Sequence, residues 1–429
     1  MASSTDAPAT TGGVHRGFRN ARLYTWYSAL FNSFFWMPIF FLYFNAHVTL
    51  EQVLLLEAIY YGSVALLEVP SGYFSDTVGR RITLLLSTLT LTGAYALFSF
   101  GDSFMIFAAA QVLLAAGIAF NSGTDTSFHY DALCDADATD EYDRREARIA
   151  RNAFLAGAGS ALIGGLLGAV DLSWAYLASL VVAASSIVVV LMLREPTRHD
   201  APPDASRALV GQLSTLLGYF RNTRLRWVFA FSVLMTVLVH VPYEFYQPYL
   251  RLMFEQFTDA DGAALPWLSS NATPISAGIH ACAAMLIGAW CASQSVRFRD
   301  RFGLRTTLLT AYAVQVLQIA LMAMVLHPLV AVVLVTRSAP RAIAAAPVNA
   351  ATAPLLTQRT RATWFSLQSL VGRISFGLTL LGLSQIARLG TDDDLGTWAP
   401  LSNMLGAATF LGVLAGLVLI MMKDDAPAA

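Results

Sequence analysis

The sequence predicts an all-α integral membrane protein with twelve transmembrane helices in two pseudo-symmetric six-helix bundles and both termini cytoplasmic. Three observations predict this class. Composition comes first: 56% of the 429 residues are hydrophobic and 13% are charged, against roughly 25% charged in a water-soluble domain. Second, apolar runs recur at 22–45, 51–73, 82–101, 104–132, 148–170, 172–193, 226–249, 273–294, 304–326, 328–352, 361–388 and 398–422. Each is near the length of about 20 residues that crosses a bilayer. Third, arginines crowd every second connection. Arg80 and Arg81, Arg144 to Arg151, Arg221 to Arg226, Arg297 to Arg305 and Arg359 fall on one side, while the alternate loops hold only Arg251 and Arg388. Cationic loops stay cytoplasmic.

Taken in order, residues 1–21 read as a polar N-terminal tail without the charged start and apolar middle of a secretory signal. Residues 22–193 form the first bundle, and 194–225, which is polar and contains prolines, is a cytoplasmic central loop. The second bundle takes 226–422, and 423–429 is a short tail. A formal net charge of −1 argues against a nucleic-acid partner. Three cysteines make no disulfide framework. No metal-spaced His/Cys cluster, phosphate-binding glycine loop or nucleophile elbow occurs. The expectation is therefore no metal, no cofactor and no enzymatic activity.

The stretch Glu68-Val-Pro-Ser-Gly-Tyr-Phe-Ser-Asp-Thr-Val-Gly-Arg-Arg81 follows the second apolar run, and its tail recurs. Residues 76–85 (DTVGRRITLL) and 300–309 (DRFGLRTTLL) share D-x-x-G-x-R-x-T-L-L at equivalent loops of the two halves. Repeats of this kind mark transporters built from paired bundles. With Gly72, Asp76, Gly79, Arg80 and Arg81 in the pattern G-x-x-x-D-x-x-G-R-R, the chain resembles the major facilitator superfamily. The resemblance covers the whole chain. It implies that superfamily's fold and secondary active transport by alternating access, with a functional monomer in a lipid bilayer.

In that setting Pro70 can bend the second helix, and Gly72 lets two helices approach closely. Asp76 can accept from the free N–H groups that start the eleventh helix, and Gly79 permits the turn. Arg80 can pair with Asp131, and Arg81 can meet lipid headgroups. Glu68, Gly72, Asp76, Gly79, Arg80, Arg81 and Asp131, with Asp300 and Arg305 of the second copy, make a candidate conformational latch. The other reading of these charges is a set of topology anchors.

Polar groups deep in a span are costly and point to a transport path. The proton-coupling candidates are Asp125, a lone acid in a Gly/Ser/Thr stretch, with Glu57, Glu244 and His129. Asp125 can carry a proton or pair with Arg151. Glu57 and Glu244 are site residues or interfacial acids, and His129 is a relay or a vestibule residue. Substrate-binding candidates are Asn32, Trp36, Asn121, His240, Tyr243, Gln247, Arg337, Arg341 and Arg373. His240, Glu244 and Gln247 share one helical face, as do Arg337 and Arg341 with Pro340 between them. Two mid-span arginines need an acid, water or a substrate anion; Glu244 is one candidate acid. Arg373 either faces the cavity or joins the latch.

The function expected is a secondary active transporter of a small solute, coupled to protons and sited in a bacterial inner membrane, with an anionic or zwitterionic substrate. The alternatives are a proton-driven exporter of drugs or amphipathic cations and a non-transporting receptor. Exporters of the family often carry G-P-x-x-G-G in the fifth helix. This chain has SALIGG at 160–165, with Ser160 and Ala161 in place of Gly-Pro.

Overall fold

The computed structural model describes residues 11–197, 215–258, 273–388 and 398–423, and the regular structure there is helical throughout. The first half comprises α1 (Thr11–Phe31), α2 (Phe40–His47), α3 (Leu50–Thr77), α4 (Arg80–Phe100), α5 (Phe104–Asn121), α6 (Thr124–Asp135), α7 (Tyr142–Val170) and α8 (Leu172–Met192). The second comprises α9 (Thr223–Thr258), α10 (Thr273–Phe302), α11 (Leu304–Met324), α12 (Pro328–Val333), α13 (Ala339–Thr352), α14 (Arg361–Arg388) and α15 (Trp398–Met421).

Ten helical stretches among the described residues are long and apolar enough to cross a membrane. The first two expected spans are not among them. The first is interrupted between α1 and α2, around Pro38. The second, α3, is one 28-residue helix with a Thr49–Gln52 capping box at its start. That is about 42 Å long, more than the roughly 30 Å of a bilayer's hydrocarbon core. Two further interruptions lie inside expected spans. The fourth breaks at Gly123, whose φ is +71°, and the tenth winds as a 3₁₀ turn over Leu334–Ser338 before Pro340 starts α13.

Packing builds a separate core in each half and a mixed core between them. One apolar core gathers Ile39, Phe44, Phe98, Phe107 and Tyr176 from the first half, and another gathers Trp227, Phe231, Tyr312, Met404 and Leu419 from the second. A third mixes them: Leu133 and Tyr142 pack with Phe229, Leu356 and Trp364. This mixed core lies at the end bearing the repeated loop, called here the signature end. α7 and α10 also approach closely, since a Cβ on Gly165 would fall 2.6 Å from the Pro274 carbonyl. The absence of side chains here lets two helices touch backbone to backbone.

Candidate functional site

At the signature end a buried charge network joins the two halves. Asp76, at the end of α3, has no exposed side-chain surface. It accepts from the backbone N–H groups of Ala362 at 3.2 Å and Thr363 at 2.8 Å and from the Thr363 hydroxyl. These amides are orphan donors in the first turn of α14, where the helix dipole favours an anion. Arg80 donates to Asp76, to Asp131 at 3.2 Å and to the Gln358 carbonyl. Arg361 donates to Asp131 from the other half, lies 4.2 Å above the Tyr130 ring and also donates to the Ala353 and Leu356 carbonyls. Two acids and two arginines thus balance inside a water-poor contact. Gly72 permits this approach, because a Cβ there would sit 2.6 Å from the Ser366 hydroxyl. Gly123 does the same beside the Ala362 carbonyl, 2.7 Å from where its Cβ would be.

Glu195 is a further member that spacing did not reveal. Its two carboxylate oxygens accept from the Arg80 and Arg81 amides at 2.7 and 2.8 Å, capping α4. Gly79 turns at φ +145° directly beneath that carboxylate, and a Cβ there would lie 2.9 Å from it. A second bridge follows: buried Glu146 of α7 accepts from Asn349 of α13 at 3.0 Å and contacts His129 Nδ1 at 2.5 Å. A third is the ion pair between Arg299 and Asp143, at 2.6 Å.

Not every residue of the expected latch makes a described contact between the halves. Arg81 does not reach beyond its own half: it donates to the Val190 and Leu191 carbonyls at the end of α8. Arg305 matches it in the second half, donating to the Ile420 and Met422 carbonyls at the end of α15. Unsatisfied carbonyls at helix ends attract cations, and each arginine meets the nearest ones. Asp300 pairs with Arg299 at the surface and, among the described residues, has no hydrogen bond or ion pair to the first half. Glu68 is buried, accepts from Ser122 and lies 3.9 Å from Arg373. Arg373 therefore stands between the network and the cavity.

Between the halves, farther from the signature end, charged side chains face an accessible space. Arg341 is exposed although it lies mid-span, and among the described residues it has no hydrogen-bond or ion-pair partner. Arg373 and His240 lie within electrostatic reach of it. His240 Nδ1 contacts the Thr236 carbonyl at 2.7 Å. Also between the halves stand Glu57, 3.4 Å from the Gln111 amide that donates to it, and Glu244, which accepts from Tyr61 at 3.2 Å. Tyr243 is also exposed here, 6.5 Å from His240 between ring centres.

Other candidates are placed elsewhere. Arg337 lies in the 3₁₀ turn, ahead of the α-helix that carries Arg341. It sits over Tyr246 at 4.6 Å, with His280 at 3.0 Å, and forms no ion pair with Glu244. Trp36 is directed into its own bundle, stacking on Tyr176 and donating to the Tyr95 hydroxyl at 3.1 Å. Asn32 donates to the Ser28 carbonyl one turn back. Asn121 accepts from Tyr27 at 2.6 Å and donates to Asp125 at 3.1 Å. Asp125 itself accepts from the Thr126 amide in the first turn of α6, and Arg151 turns to Asn152 instead. His129 is buried, stacked 5.0 Å from the Tyr24 ring. The Gln247 side chain lies outside the described residues.

Apolar helices around a charged, accessible space between two bundles define an integral, multi-pass membrane protein. A model of the Major Facilitator Superfamily matches residues 24–259, more than half of the chain, and the chain belongs to that family of membrane transporters. Among solved structures it is similar to the human organic anion transporter MFSD10 (TETRAN), with a TM-score of 0.69 and 16% identity over 94% of this chain and 99% of that one. It is also similar to the nucleoside transporter NupG, with a TM-score of 0.60 and 13% identity over 95% of this chain and 99% of that one. A NupG variant gives 0.66 and 14% over 95% and 100%. No curated protein matches in sequence.

Proposed function

We propose that the protein is a proton-coupled secondary active transporter that moves a small anionic or zwitterionic solute by alternating access. It works as a monomer with twelve spans, its termini and signature end in the cytoplasm of a bacterial cell. The observation that carries this reading is Arg341, an accessible mid-span guanidinium without a protein partner, close to Arg373 between the halves. Neither arginine can readily lose its proton, so a mid-span pair of them calls for water or an anion. The network of Asp76, Arg80, Asp131 and Arg361 holds the cytoplasmic ends together, which leaves the cavity to open on the other side. Asp125, Glu57 and Glu244 are the groups that would take the proton.

The test is flux. Purified protein in liposomes should accumulate a radiolabelled anionic or zwitterionic solute when an inward proton gradient is imposed. Arg341→Gln should lose at least about tenfold in apparent affinity, the scale of one charged hydrogen bond. Equal uptake with and without the gradient would remove proton coupling. The acidic wall of Glu57 and Glu244 favours a second reading, export of amphipathic cations, and a cation whose binding improves in Arg341→Gln would select it.

A further inference from the structure

The cavity carries charge of both signs, and its walls do not neutralise each other. Arg341 and Arg373 are like charges within electrostatic reach, and Glu68 at 3.9 Å can offset only one of them. Glu57, from α3, and Glu244, from α9, are also within reach of each other. Their described hydrogen-bond donors are neutral: Gln111 at 3.4 Å and Tyr61 at 3.2 Å. Among the described residues no ion pair joins either acid to Arg341 or Arg373. Tyr60 is within electrostatic reach of both Glu57 and Arg373. Its ring centre is 5.2 Å from that of Tyr61.

Two like-charged pairs, each repelling internally and each accessible, are relieved by opposite charges brought from outside. A simple anion relieves one pair and leaves the carboxylates facing each other. A simple cation leaves the guanidiniums. A solute with both charges relieves both pairs at once. The aromatic rings beside the acids suit an ammonium, whose charge is attracted to a ring face, while the guanidinium fork suits a carboxylate. Resting on the transport reading above, we infer that the solute is an amino-acid-like zwitterion. Its carboxylate is held by Arg341 and Arg373, and its ammonium by Glu57 and Glu244 beside Tyr60 and Tyr61.

The experiment is a thermal-shift and competition series on the purified full chain in detergent. The probes are the amino acids with uncharged side chains, each compared with its N-acetyl derivative, which keeps only the carboxylate, and its amide, which keeps only the ammonium. At least one amino acid should bind, and removing either charge should weaken it about tenfold or more. In Glu57→Gln the preference for the amino acid over its N-acetyl form should fall about tenfold, whereas in Arg341→Gln the preference over the amide should fall. Should a variant fail to fold, the derivatives on the unaltered protein still decide the matter. An N-acetyl acid that binds as well as its parent, or a panel with no binder, overturns the assignment. Uptake of an anion in liposomes with no amino acid bound overturns the zwitterion and leaves transport standing. Binding of an amino acid without flux supports the two-pole site and removes transport.

Discussion

The same ten-residue pattern ends two hairpins of this molecule, and the two copies do different work. In both, a glycine takes a positive φ, +145° at Gly79 and +78° at Gly303. In both, the arginine two positions after that glycine satisfies carbonyls at the end of the sixth expected span of its own half. The copies part at the remaining two positions. Asp76 is buried against the start of α14, whereas Asp300 sits at the surface beside Arg299. Arg80 reaches two acids and the facing half, whereas the equivalent position holds Leu304. The glycine and second arginine therefore hold each bundle to itself, and only the first copy's acid and first arginine hold one bundle to the other.

That contrast is open to breakage. The largest effect is expected from Asp131→Ala, which leaves Arg80 and Arg361 buried with one partner fewer; removing one member of a buried pair costs about 3–5 kcal/mol. The melting temperature should fall, and in a background without native cysteines a cysteine at Ser369 should label faster from the signature end. Asp76→Asn should come next, at about 1.5–3 kcal/mol for its charge-assisted bonds, with the same direction of labelling. Asn349→Ala should cost about 0.5–1.5 kcal/mol, the range for one hydrogen bond, with a smaller labelling change. Asp300→Asn should stay within about 0.5 kcal/mol, as exposed charges do, and leave flux unchanged. If Asp300→Asn matched Asp76→Asn in labelling or melting, the two copies would be equivalent and the contrast would fail.

Much of this was legible because it depends on run length and local pattern. Span positions follow from apolar length, and the repeat follows from identical letters at equivalent loops. The pairing of Arg80 with Asp131 was expected and is present at 3.2 Å, since both residues stand at adjacent helix ends. What escaped notice was either local winding or remote pairing. A hydropathy run averages over residues, so it does not show the unwound turn before Phe40 or the 3₁₀ turn that holds Arg337. Arg361, Glu146 and Glu195 are charges near helix ends, where a topological role explains them equally well. Their partners lie far along the chain, as with Arg361 and Asp131, and no spacing rule connects such positions. Aromatic content was equally mute, since Trp36 serves its own bundle's packing.

The few residues after α8 have a mechanical meaning of their own. Glu195 holds the start of α4. Two positions on, the Thr197 amide donates to Asp135 at 2.9 Å, and its carbonyl accepts from Gln358 at 3.1 Å. The strap connecting the bundles is therefore stitched into the joint before it departs, and the place where it is severed should matter more than whether it is severed. Two polypeptides divided at 200–206 keep that stitch on the first fragment and should reassemble when co-expressed. Fragments divided at 193–194 hand Glu195 and Thr197 to the wrong piece, and their assembly should be weaker.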